Sequence, residues 1–356
     1  PYRNARKKKK KNSIWYMDRA GWFEKKLNKA TSLTKFTQAD FSTLAKGNVS
    51  IISASLYPLE KGFVQTRMGS GLVSDGLVSL VSCLPKRRLD FIDNMPDYFT
   101  DLEKERDFYL QLANKNVSLS EGEYRYKMVK NLDDIEENSE KPNTISVFFS
   151  IEGGHVFNCG LGKDVARETV REVLANVEKV KNWGHRPLWI SLAHHFYNDL
   201  CGHAKSMTGI AEKVLDQSYK LGIGFSSLGR EVTARLLDAT DGKRIYIDIK
   251  HMSPRARKQY YEMLENEFAG EDIPVIISHG APNGRKSLHN PEVTNSPVSE
   301  RLQYSGNDFE INFFDDEILK VHDTNGIFCL QLDERRVASQ SAVSYTHLRA
   351  HETHND

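Results

Sequence analysis

Four stretches of the sequence deliver a metal-type donor just past an apolar run. "FFSIEGGH" places Glu152 after apolar and small residues. "ISLAHHFYND" places His194 and His195, "RIYIDIKH" places His251, and "IPVIISHG" places His279. Zn²⁺ takes such nitrogen and oxygen donors. A bound Zn²⁺ lowers the pKa of its water to about 7 and so supplies hydroxide at neutral pH. One histidine in such a place is more often a hydrogen-bonded structural residue than a ligand. Two of them, with a carboxylate on a third run, favour a metal. Glu152 is followed by Gly153 and Gly154, which a simple turn would also explain, but a glutamate at the end of an apolar run is costly to bury unless paired or metal-bound. His155 reads as a structural or supporting residue, and His203, in "DLCGHAKS", lies in a loop that could reach the same place. Asp248 and Lys250 alternate away from His251, which suits a structural pairing on the far side.

The elements that must position these donors read as strand followed by helix, repeated. Apolar runs at "NVSIISASLYPLE", "TISVFFSIEGGH", "PLWISLAHH", "RIYIDIKH", "IPVIISHG" and "IFCLQLDERR" give six strands. Between them, "KDVARETVREVLANVEKVKNWG" has its valines at helical spacing, with Gly184 as a stop. "SLGREVTARLLDATDG" predicts a helix capped at Ser227 and stopped at Gly242. Further helices are expected from Pro96, over "SPRARKQYYEMLENEF" and over "DDEILKVHDTNG". "TRMGSGLVSDGLVSLVSCLP" reads as a loop and a buried helix, and "LDDIEENSEKPN" as a solvated acidic loop. Repeated βα order with near-continuous apolar strands predicts an α/β fold with a parallel sheet. Six strands fit an open doubly wound sheet, or six of the eight strands of a (β/α)₈ TIM barrel. In a barrel the donors would meet at the C-terminal mouth. No GxGxxG or GxxxxGK[ST] follows a strand, which removes support for dinucleotide or P-loop chemistry.

Composition narrows the partners. Lys+Arg 49 against Asp+Glu 48 gives a net charge of +1, so no overall field points to nucleic acid or a membrane surface. The run "RKKKKK", from Arg6 to Lys11, reads as a solvated surface segment. No apolar run reaches transmembrane length. Cys83, Cys159, Cys201 and Cys329 lack C-x-x-C spacing and read as reduced thiols, which favours a cytoplasmic setting.

The stretches "SIEGGH", "ISLAHH", "YIDIKHMS" and "PVIISHG" resemble, in order and approximate spacing, the membrane (renal-type) dipeptidase family of zinc peptidases. The resemblance runs from about Asp40 to Asp333. "DFSTLAKGNVSIISASLYP" is similar to that family's second strand, and "NFFDDEILKVHDTNGIF" to its late helix and strand. The resemblance implies a (β/α)₈ barrel of the amidohydrolase type with a binuclear zinc site, hydrolysing dipeptides, some with a D-residue at the C-terminal position. It implies that Glu152 bridges the metals, that His251 and His279 ligate the second metal, and that His194 contacts substrate and polarises the scissile carbonyl. It also implies an arginine for the substrate carboxylate, for which Arg285 is the nearest candidate. A dipeptide is the implied partner, and a homodimer the candidate assembly.

The chain departs from that pattern in two places. The family's first strand ends in H-x-D, and no H-x-D occurs before Asp40. The family's last strand ends in an aspartate that handles the proton of the attacking water. The likeness stops near Ser341, and Asp333 follows the seventh-strand position instead. The ending "VSYTHLRAHETHND" resembles translated sequencing-adapter DNA, so His347, His351 and His354 are expected to have no metal role. The expectation is one metallo-hydrolase domain over 1–341, incomplete at its first and last strands and with little or no activity, then a non-native or disordered tail over 342–356. Two alternatives stand beside it: a non-catalytic barrel that binds a partner, and an amidohydrolase acting on a cyclic amide or ester.

Overall fold

Apolar runs become strands, and capped amphipathic segments become helices, in the computed structural model of the chain. It describes residues 13–15, 22, 26, 39–65, 86–94, 97–161, 167–207, 209–289 and 310–331. The basic run 6–11, the segment 66–85, Asp333 and the tail 342–356 lie outside the described residues. Two units are distinguished, one within Pro1–Ile151 and Asn182–Leu188, the other within Glu152–Lys181 and Trp189–Asp356.

The first unit carries β1 (Ile51–Leu56), β2 (Val117–Leu119), β3 (Gly122–Met128) and most of β4 (Thr144–Glu152), whose last residue opens the second unit. β4 pairs in parallel with β1, from Ile51 opposite Ser146 to Leu56 opposite Ile151, and with β3 over Thr144 to Val147. Its side chains are buried almost continuously, as expected of a strand covered on both faces. β2 and β3 form an antiparallel hairpin that the apolar runs did not announce. Helices α1 (Phe41–Lys46), α2 (Lys86–Asp93), α3 (Tyr98–Leu112) and α4 (Leu132–Ser139) complete this unit. The acidic stretch expected to be a loop is α4. Asn131 caps it by accepting the Asp134 N–H at 2.9 Å, and Asp133 and Asp134 occupy its first turn, where the helix dipole favours negative charge.

The second unit runs α5 (Arg167–Lys181), β5 (Trp189–Ser191), α6 (Gly209–Val214), α7 (Ser227–Leu237), β6 (Tyr246–Asp248), α8 (Pro254–Asn266), β7 (Ile276–Gly280), α9 (Asp315–Asp323) and β8 (Ile327–Leu330). β5 to β8 pair in parallel in sequence order. Val173, Val177 and Val180 form the buried stripe of α5, spaced as a helix requires. Ser226, one residue earlier than expected, caps α7 by accepting the Gly229 N–H. Ser253 caps α8, with Pro254 in the first turn where a missing N–H is harmless. Ile247, Ile249, Ile276 and Ile277 on the strand side, and Val232, Leu236, Tyr260 and Met263 on the helices, are all buried. The fold is therefore mixed α/β with mostly parallel strands. Among the described residues no helix is long and apolar enough to cross a membrane.

One buried ion pair fastens α8 to α9. Arg257 Nε donates to Glu317 Oε1 at 2.7 Å and Nη2 to Oε2 at 3.1 Å, while Tyr261 adds a hydroxyl to the same carboxylate at 2.9 Å. Both charged side chains are about 1 % exposed. Removing one partner strands the other charge in the interior, which costs about 3–5 kcal/mol. Glu317→Ala should therefore lower the unfolding free energy by about 3–5 kcal/mol, read as a fall in the urea-unfolding midpoint at unchanged m. A midpoint within error of the parent would show that water replaces the carboxylate freely.

Candidate metal centre

The site belongs wholly to the second unit. Glu152 is the last residue of β4. Just beyond it, the Gly153 and Gly154 N–H groups donate to the carbonyls of Ser191 and Leu192 at 2.9 and 3.0 Å. This zipping fixes the carboxylate beside the end of β5. It also explains the glycine pair. Gly153 has φ +102°, and a Cβ there would stand 2.4 Å from His155 Nδ1. A Cβ on Gly154 would stand 2.4 Å from Leu200 Cδ1. The glycines let the backbone approach, as well as turn.

His194 and His195 follow β5 by three and four residues. The strand expected to carry His251 to its tip ends earlier, at Asp248. His251 lies in the turn before α8 with φ +67°, a left-handed conformation uncommon outside glycine. Its carbonyl accepts the Ala204 N–H at 2.8 Å, and Met252 bridges to His203, so the 201–207 segment holds the turn in place. His279 is the penultimate residue of β7.

These residues converge. Glu152 Oε1 lies 3.3 Å from His194 Nε2, 3.5 Å from His251 Nε2 and 3.6 Å from His279 Nε2. His194 and His251 are buried, and Glu152 and His279 are half-buried at the opening. Glu152, His251 and His279 form one group able to hold a metal ion, and His194, His195 and His251 form another. A tetrahedral ion with donors at about 2.0–2.1 Å spaces them about 3.3 Å apart, close to the separations of Glu152 from His251 and from His279. His251 Nδ1 is buried with no hydrogen-bond partner. A ligand set of one carboxylate and two imidazoles fits Zn²⁺.

Behind the mouth lies Asp248, fully buried. It accepts the hydroxyl of Ser191 from β5, the hydroxyl of Ser278 from β7 at 2.6 Å, and the N–H groups of Lys250 and Ser278 at 3.0 Å each. Ser278 Oγ also stands 2.9 Å from His279 Nδ1. Because Ser278 gives its proton to Asp248, it accepts one from Nδ1, and that tautomer turns the Nε2 lone pair toward Glu152. The structural role expected of Asp248 is thus specific: it orients a ligand through Ser278. Lys250, also buried, directs Nζ to the Ile311 carbonyl at 3.2 Å.

Electrostatics keep the donors in ligating form. Burial works to raise the Glu152 carboxyl, but His194, then His251 and His279, hold it well below its usual value. Burial, then repulsion from His194, lowers His251 well below an ordinary imidazole. Burial likewise lowers His279, against the pull of Glu152. Burial thus works against the protonated forms of His251 and His279, while the rings around Glu152 favour its ionised form.

Of the residues singled out in the sequence, Glu152, His194, His251 and His279 are brought together. His203 bonds instead to the Gln217 carbonyl at 3.0 Å, and His155 is buried in the turn after Glu152. Arg285 lies in the loop after β7, its N–H donating to Asn283 and its carbonyl accepting from Asp315. His195 was named with His194 as a donor from the sequence but given no role of its own, and Ser278 was not singled out. The doubled histidine and the serine before His279 were the available signals. Compared with known protein families and with curated proteins, the chain matches none.

In the metal-free chain, His251 and His279 titrate lower folded than the 6.5 of an exposed imidazole. The unfolded chain therefore binds more protons below that pH, and stability falls as pH drops. Glu152 adds the same trend lower down, its contribution present above about 4.5 and lost as pH falls through its depressed folded value. Urea midpoints in chelator should be level above pH 7 and decline from about 6.5 toward 5. His251→Asn, which tolerates the left-handed turn, should flatten that decline. An equal slope in both proteins would remove His251 from the explanation.

Proposed function

We propose that the chain is a zinc-dependent metallohydrolase of the dipeptidase type, with Glu152, His251 and His279 as its ligand set and His194 beside them for substrate. The observation that carries this reading is the approach of three Nε2 atoms to one carboxylate oxygen within 3.3–3.6 Å. Zn²⁺ held there would polarise a carbonyl and activate water at neutral pH. The chain's own residues supply the rest. Glu152 carries the negative charge of the ligand set. His251 and His279 present lone pairs rather than protons. His194, 3.3 Å from the carboxylate, is placed to hydrogen-bond an amide oxygen as charge develops on it. Arg285 is the candidate for the substrate's terminal carboxylate.

The barrel form of the fold belongs to the same proposal. Parallel strands β5 to β8 lie in sequence order, and right-handed crossovers then set α7, α8 and α9 on one face. Such a sheet would cover its other face by closing on itself, the (β/α)₈ solution, a closure that the described strands do not make. The preference for a dipeptide over a cyclic amide or ester rests on the sequence resemblance. The chain given has no H-x-D before Asp40, so slow turnover is expected and binding is the better readout.

Zn²⁺ titrated against a chromophoric chelator should give one ion per chain, bound at least about 10-fold more weakly in Glu152→Gln. Dipeptides, including those ending in a D-residue, should raise the thermal midpoint of the zinc-loaded protein. Cyclic dipeptides should not. Absence of zinc binding would sink the metallohydrolase reading. A response to cyclic amides alone would move the activity to their hydrolysis.

A further inference from the structure

We infer that His194, His195 and His251 form a second cation position, made only of imidazoles, that is an alternative to the position at Glu152, His251 and His279. The inference rests on the metal-centre reading above and extends it. The ring centroids of His194 and His195 are 3.9 Å apart, those of His194 and His251 4.5 Å, and those of His195 and His251 5.1 Å. One nitrogen from each ring lies within 4.8 Å of the others. Three imidazoles with a fourth place open to water is a ligand set that zinc enzymes use, as is two imidazoles with a glutamate.

His195 is built into the wall for such a role. Its Nδ1 lies 2.6 Å from Ser206 Oγ. Gln217 Nε2 donates to that hydroxyl at 2.8 Å and to the His195 carbonyl at 2.6 Å. Gln217 Oε1 accepts the N–H groups of Ser206 and Met207 at 3.2 and 2.8 Å. One buried amide therefore fixes both the ring and the backbone of His195. With Nδ1 engaged by Ser206, ligation falls to Nε2. Anchoring of this kind, through the nitrogen away from the ion, holds histidine ligands in register.

The two positions exclude each other because both need His251, and a neutral imidazole has one lone pair to give. Wild type should therefore bind one ion, with two places to put it. The pair also differs in preference. Three imidazoles suit Zn²⁺ and Cu²⁺, whereas a carboxylate in the set admits harder ions such as Mn²⁺. An ion among the imidazoles also occupies His194, the residue assigned to substrate, so that position stores a metal in a form unfit for hydrolysis.

The test is Zn²⁺ binding by chelator competition on the full chain and on three variants: His279→Ala, His195→Ala and the two combined. Far-UV circular dichroism and the metal-free unfolding midpoint check folding, and glutamine replaces alanine in any variant that fails. Each single variant should still bind one Zn²⁺. The double variant should bind at least about 10-fold more weakly than either. If His279→Ala alone abolishes binding, no all-imidazole position exists, while the Glu152 centre stands. If the double variant binds as His279→Ala does, His195 is no ligand and the inference is overturned. If wild type binds no Zn²⁺, the metal-centre reading itself fails. Mn²⁺ provides a second readout: its binding should be lost in His279→Ala and kept in His195→Ala, and equal loss in both would contradict two positions.

Discussion

A carboxylate with no exposure to water sits where three strands end, and the mouth depends on its being satisfied. Asp248 at the end of β6 accepts hydroxyls from Ser191 on β5 and Ser278 on β7, together with the N–H groups of Lys250 and Ser278. Four donors satisfy the carboxylate in a dry interior, where an unpaired polar group would cost several kcal/mol. The same bonds set the lateral spacing of the strand ends. Ser278 then passes the constraint to His279, so the geometry of a ligand is decided by a residue that never reaches the mouth.

The mouth itself balances charge against burial. Four imidazoles in one place would repel one another if protonated, and burial disfavours their charged forms further. The carboxylate of Glu152 is the counterweight. The rings around it favour its ionised form, and burial disfavours the protonated form of His251 beside it. This is the electrostatic state a divalent cation requires, and it exists in the folded chain before any ion arrives. The backbone contributes as well. Gly153 and Gly154 bring Glu152 within reach of the His194 side, and the left-handed turn at His251 lets α8 begin three residues later under the Ser253 cap.

Much of this was legible in the sequence, for reasons that can be named. The six apolar runs are strands, and in β4, buried almost throughout, the continuous apolar character matches burial on both faces. The donors Glu152, His194, His251 and His279 were legible because each is polar just past such a run. The hairpin of β2 and β3 was missed although "EYRYKM" alternates polar and apolar residues as a half-buried strand does, because continuous apolar runs were the signal followed. The helix α4 was missed although its cap signal was present, because acidic composition was weighted above Asn131. His195 was hidden beside His194: adjacent residues look equivalent in a string, and only the contact with Ser206, eleven residues on, separates their roles. The left-handed turn at His251 likewise follows from packing against the 201–207 segment.

The bonds at Asp248 join residues 57 and 30 positions apart in the chain. Contacts that close long loops are entropically late, because little local structure rewards the closure beforehand. Neither Ser191 nor Ser278 can find its acceptor until β5, β6 and β7 have docked side by side. The orientation of His279 waits on that event. A cation met early in folding would therefore find scattered imidazoles rather than a site, and the finished centre is a marker that the second unit has completed its assembly.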